Sequence, residues 1–228
     1  MEYGEVMARL RALANTDNVA GMARYGITPK TEVLGISVYT VRDIAKAIKR
    51  DHALAMRLWD SGVHEARLLA GMIADPAQMT PGEMDSWAMT FDSWDIVDQT
   101  CSNLFDRTPF AHQKACEWAA RDEEFVKRAG YVMMAALAVH DKEAPDTAFE
   151  AFFPAIVAGA TDERNYVKKA VNWALRNIGK RNPALNRAAI ALAEEIRALP
   201  ARSARWIASD ALRELTSEKV QQRLAKRK

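Results

Sequence analysis

Apolar residues recur along this chain at intervals of three and four, and strict apolar/polar alternation is nearly absent. Alanine, leucine, methionine and long charged side chains fill the intervening positions, as helices favour. The periodicity predicts helices over roughly 2–13, 17–25, 40–49, 51–60, 63–74, 81–90, 93–106, 111–120, 123–140, 146–160, 164–180, 183–198, 202–215 and 218–226. Several starts are marked by capping chemistry. Thr80-Pro81-Gly82-Glu83 reads as a capping box with proline at the first helical position. Thr40 is placed to cap the helix carrying Ile44 and Ile48, Asn182-Pro183 opens another helix, and Pro200 closes it. The one long non-helical stretch runs from Gly26 to Tyr39. No linker composition divides the chain, so residues 1–228 read as one all-α domain. Helix lengths of about ten to eighteen residues in antiparallel pairs suggest an α-solenoid of HEAT-like repeats. A compact helical bundle is the alternative, because no tight sequence repeat is visible.

The 228 residues are 49% apolar, enough for a substantial core. A net charge of +2 hides an asymmetry. Residues 165–228 hold 15 Lys+Arg against 5 Asp+Glu, so the first 164 carry about −8. A basic C-terminal third suggests a surface for polyanions, against the plainer reading of solvated helix faces and a basic tail, Lys226-Arg227-Lys228. Cys101 and Cys116 lie in apolar helical patterns and read as buried thiols in a reducing compartment. His52, His64, His112 and His140 have no metal-site spacing, so no metal or other cofactor is expected. With no signal-peptide pattern and no long apolar run, a cytoplasmic location off the membrane is expected.

Two faces carry candidate chemistry. On the helix over 93–106, Trp94 and Asp98 stand one turn apart, off the stripe formed by Val97, Cys101 and Leu104. An indole beside a carboxylate suits a cationic ligand, though a core-edge tryptophan and a solvated aspartate explain the pair as well. On the helix over 164–180, the stripe Val167, Ala170, Val171, Ala174, Leu175 and Ile178 leaves Trp173 on the opposite side, among Tyr166, Lys169, Arg176 and Lys180. Exposing a tryptophan forgoes roughly 2–3 kcal/mol of burial. An aromatic within a basic stripe is the footprint expected for a nucleic-acid backbone; packing of Trp173 against a neighbouring repeat is the alternative.

Tyr25, Trp94-Asp95-Ile96-Val97-Asp98, Lys127-Arg128 and Lys168-Lys169-Ala170-Val171-Asn172-Trp173-Ala174-Leu175-Arg176, in that order, resemble the DNA alkylation repair proteins of the AlkD type. Leu34-Gly35-Ile36-Ser37 is similar to a loop of that family, and the likeness runs from roughly Val19 to Asn182, looser around Arg128. The resemblance implies a stack of HEAT-like helix pairs with double-stranded DNA in a concave groove. It implies excision of cationic purines such as 3-methyladenine and 7-methylguanine, without extrusion of the base. By position, Asp98 would be the catalytic carboxylate, Trp94 and Trp173 would flank the lesion, Arg128 would hold the backbone and Tyr25 would complete the aromatic wall. A monomer associated with the nucleoid is the corresponding expectation. Two rivals stand beside it: a DNA-binding repeat protein without activity, and a protein-interaction scaffold. The first does not require a carboxylate near phosphate, and the second leaves the cationic face around Trp173 unused.

Overall fold

The computed structural model describes residues 1–226; Arg227 and Lys228 of the expected basic tail lie outside the described residues. The chain is all-α, of the HEAT-like repeat class, and packs as two compact units, Met1–Pro109 and Phe110–Lys228. Among the described residues the β structure is one isolated bridge between Glu32 and Val63.

The first unit contains α1 (Tyr3–Ala12), α2 (Thr16–Arg24), α3 (Val38–Ile48), α4 (His52–Trp59), α5 (His64–Ile73), α6 (Pro81–Met89) and α7 (Trp94–Asn103). Helix α4 pairs with α5, while α5 also packs on α3 and α7. One face of each repeat thus closes the pair and the other meets the next repeat, the packing a HEAT-like stack requires. A stacked tryptophan pair, Trp59 on Trp87 at 3.9 Å between ring centroids, centres this core. The Arg67 guanidinium lies over Trp59 and is paired with Asp92 at 3.1 Å.

The second unit contains α8 (Ala111–Ala119), α9 (Glu124–His140), α10 (Asp146–Glu150), α11 (Phe153–Gly159), α12 (Asn165–Gly179), α13 (Pro183–Arg197), α14 (Arg202–Leu215) and α15 (Glu218–Ala225). Its pairs are α8 with α9 and α13 with α14, and α12 packs on both α9 and α14. Gly130 permits a close approach of α9 to α8. A Cβ there would lie 2.3 Å from the backbone nitrogen of Ala119, so only glycine lets α9 meet α8 at that depth.

Helix positions agree with the periodicity, with informative exceptions. The helix expected over 93–106 ends at Asn103, where Leu104 leaves helical geometry and a short 3-10 turn, Phe105–Arg107, follows. The helix expected over 146–160 divides into α10 and α11, with Pro154 in the first turn of α11, a position where its missing N–H costs nothing. Ser37 caps α3, not Thr40; Thr40 donates its backbone N–H to the Ser37 hydroxyl from inside the first turn. The capping box at Thr80 and the Asn182 cap form as expected. Cys101 is buried, but Cys116 is exposed on α8.

Candidate functional site

The non-helical stretch between α2 and α3 decides where Trp94 sits. Helix α2 closes on a left-handed Gly26, with the Gly26 and Ile27 N–H groups donating to the carbonyls of Ala23 and Met22. This is a Schellman closure, and it turns the Tyr25 carbonyl outward as the C-cap. The Trp94 indole N–H donates to that carbonyl at 3.0 Å. The bond fixes the ring of a half-buried tryptophan and satisfies its one polar atom. The Tyr25 side chain is 77% exposed.

Two acids hold the stretch in place. Asp92 accepts from the backbone N–H groups of Lys30 and Thr31. Glu65, fully buried at the start of α5, accepts from those of Leu34, Gly35 and Ile36 at 2.9, 2.7 and 3.2 Å. Gly35 has φ of 75°, and a Cβ there would stand 2.1 Å from the Asn15 carbonyl oxygen. The Leu34-Gly35-Ile36-Ser37 segment therefore has a mechanical reason for its glycine and for a carboxylate thirty residues away.

Asp98 lies on α7 one turn beyond Trp94 and is half-buried. Between them, Asp95 accepts from the Ser93 hydroxyl at 2.5 Å and pairs with His64 Nε2 at 2.8 Å. Burial disfavours the charged form of Asp95, but the hydrogen bond and charge of His64 and the bond from Ser93 outweigh it. The carboxyl is held below the usual carboxylate range. A cavity of about 260 Å³ opens beside this group, walled by Met22, Ile27, Ile36, Leu68, Trp94 and His64, among others. The pairing of His64 with Asp95 and the anchoring role of Glu65 leave no local signal in the sequence, because those partners lie about thirty residues apart.

In the second unit, α12 buries the whole expected stripe from Val167 to Ile178. Trp173 is half-buried and Lys169 is exposed. The other nominated cations are engaged within the unit. Arg128 is 5% exposed and donates to the Tyr166 carbonyl at 2.7 Å. The Tyr166 ring lies against Phe125. Arg176 and Lys180 bond the two oxygens of Glu214 on α14, at 2.5 and 2.7 Å, and Arg176 also approaches Asp210 at 3.4 Å. Burial favours a neutral Glu214, but the Lys180 bond and the two cations hold its carboxyl below the usual range. The basic stripe read from α12 is thus largely neutralised by α14. Lys168, not singled out from the sequence, lies 5.6 Å over the ring of Trp206, which is 41% exposed.

Among the described residues, no group of three or more His, Cys, Asp or Glu is placed to hold a metal, and no helix is long and apolar enough to cross a membrane.

No curated protein matches the sequence. Among solved structures, the chain is similar to one described as "a new family of proteins related to the HEAT-like repeat DNA glycosylases with affinity for branched DNA structures". The TM-score is 0.75 and the identity 22%, covering 98% of this chain and 96% of that one. Two designed armadillo repeat proteins, one in complex with the peptide (KR)4, match at TM-scores of 0.44 and 0.39 and identities of 14% and 11%. They cover 79% and 81% of this chain, and 87% and 88% of theirs. The family model described as "DNA alkylation repair enzyme" matches residues 6–220. Nearly the whole sequence is spanned by that match, and the chain belongs to the DNA alkylation repair enzyme family.

Proposed function

We propose that this protein is a monofunctional DNA glycosylase that hydrolyses the N-glycosidic bond of cationic alkylpurines in duplex DNA. The observation that carries the reading is the arrangement on α7: an indole fixed by the Tyr25 carbonyl, with Asp98 one turn beyond it. Alkylation at a ring nitrogen makes the purine cationic and a good leaving group. The C1′–N9 bond breaks with its electron pair passing to the purine, whose charge is thereby cancelled. The sugar becomes an oxocarbenium-like cation. Asp98 stabilises that charge and orients a water molecule at C1′, and the indole adds cation–π attraction of roughly 0.5–2 kcal/mol. Water supplies the hydroxyl and loses its proton, leaving an abasic site and an intact strand. The reaction so written calls for no metal or organic cofactor and no base-shaped recognition pocket.

Lys169 and Trp173 on α12 are the proposed DNA contacts of the second unit, with Tyr25 on the first. Arg128 and Tyr166 serve by shaping the helix that presents them. A duplex series tests the reading. Release of 7-methylguanine or 3-methyladenine is expected, and uracil is expected to stay. Uracil excision at a comparable rate contradicts recognition by charge.

A second reading is DNA binding without excision. It is favoured by the engagement of Arg176 and Lys180 with Glu214, and by the affinity for branched DNA stated for the structural relative. Tight junction binding with no base release from any alkylated duplex supports it against the first.

A further inference from the structure

In an acidic first unit, cations gather on one helix face. Residues 1–109 hold 11 Lys+Arg against 15 Asp+Glu, yet four of those cations stand around a single groove. Arg42, Lys46, Lys49 and Arg50 line it, with Met72 of α5 and Asn103 of α7 among its other walls and no carboxylate among the described lining residues. Helix α3 buries Val41 and Ile44 and packs on α5. At steps of three and four residues its other side presents Tyr39, Arg42, Lys46 and Lys49, all exposed, Tyr39 by 73%.

These charges are far less cancelled than those of α12. Arg42 donates to the neutral amide oxygen of Gln99 at 3.1 Å. Lys46 meets Asp43 in a pair exposed on both sides, which water screens. Arg50 lies 3.6 Å from Asp75. Lys49 has no ion-pair partner among the described residues. It is also the one non-glycine residue among them with positive φ, at φ 67° and ψ −153°. Glycine alone adopts that region freely. A lysine at this C-cap forgoes a relaxed backbone and sets a charge on the groove.

We propose that this groove is a DNA-backbone site of the first unit, in which Arg42, Lys46 and Lys49 hold phosphates of a duplex lying along α7. The proposal adds to the contacts named above and rests on the reading of duplex DNA as the partner, not on excision. Clustered cations with an exposed aromatic at the same helical spacing suit a polyanion. The placement suits the same duplex. Gln99, the partner of Arg42, lines the cavity beside Trp94, and Asn103 at the end of α7 lines the groove. Asn103 stands about 7.5 Å along the helix from Asp98 and about 13.5 Å from Trp94, roughly two to four base-pair steps.

The full chain is titrated with a labelled undamaged duplex by fluorescence anisotropy, from about 0.05 to 0.3 M salt. Lys49→Gly should flatten the slope of log K against log salt by about 0.9, and adding Arg42→Gln and Lys46→Gln should flatten it by about 2–3 in total. Lys49→Gly should also leave Tm at or above wild type, because the strained backbone relaxes, and Lys49→Arg should keep the wild-type slope. Arg9→Gln, an exposed cation on α1 away from the groove lining, should not change the slope. An unchanged slope in the triple variant, or equal flattening by Arg9→Gln, overturns the proposal. Base release by wild type from an alkylated duplex is measured in parallel. Excision with an unchanged slope in the triple variant rejects the groove alone. A flattened slope with no excision by wild type rejects the glycosylase reading alone, and no duplex binding by wild type rejects both.

Discussion

Glu65 offers a quantitative test of how the site is built. Its carboxylate is buried and accepts three backbone N–H bonds from Leu34, Gly35 and Ile36. Those residues belong to the stretch that walls the cavity and connects the Tyr25 cap, which holds Trp94, to α3. Glu65→Ala leaves three donors without an acceptor in a dry setting. Each unsatisfied donor costs about 1–3 kcal/mol, and some relaxation of the segment keeps the total at about 3–5 kcal/mol. For a chain of this size that lowers Tm by roughly 6–20 °C. Glu65→Gln keeps one acceptor oxygen and turns an N–H2 group toward the remaining donors, so it should fall between wild type and alanine. Urea unfolding followed by tryptophan fluorescence gives the order Glu, Gln, Ala in midpoint. Excision should decline in the same order, since the Trp94 anchor loosens with the segment. A Glu65→Ala unfolding free energy within about 0.5 kcal/mol of wild type, the range of ordinary surface substitutions, would refute the buried-anchor argument.

Two further outcomes follow from charges in the structure. Asp95 has a folded-state pKa below its unfolded value, so its contribution is present above the ordinary carboxylate pKa of about 3.9 and lost as pH falls through the depressed folded value. Asp95→Asn should therefore be destabilised at pH 7, and the gap to wild type should close in acid; a gap constant from pH 7 to pH 2.5 contradicts this. Lys169→Glu should weaken DNA binding and flatten the salt slope by about 0.9 or more in log K against log salt, whereas Arg176→Glu should chiefly destabilise the second unit by placing three carboxylates together. A large slope change from Arg176→Glu with unchanged Tm reverses those assignments.

The fold was legible because helical periodicity is local. Apolar spacing located the helices, and side chains within a turn of a boundary, as at Thr80 and Asn182, located the starts. Departures arose where local signals compete. Thr40 and Ser37 are both competent caps, and the structure takes the earlier one. Cys116 sits in an apolar-looking stretch whose outer face the local pattern did not resolve. The site was legible only in part. Trp94 and Asp98 are one turn apart on one helix, and sequence spacing shows that directly. The neutralisation of Arg176 and Lys180 depends on Asp210 and Glu214, more than thirty residues away, and is visible only after α12 and α14 pack. The same distance hid Glu65, and it hid the pairing of His64 with Asp95.

The central claim is that Asp98 supplies the charge that breaks the glycosidic bond. Single-turnover release of 7-methylguanine from a defined duplex tests it most directly, with wild type and Asp98→Asn compared at saturating protein. The account predicts release by wild type and a rate lower by about 10²–10³ for the variant, with DNA affinity equal or slightly tighter because a negative charge near phosphate is gone. Equal rates for the two proteins, or no release by wild type on DNA that it demonstrably binds, would contradict it.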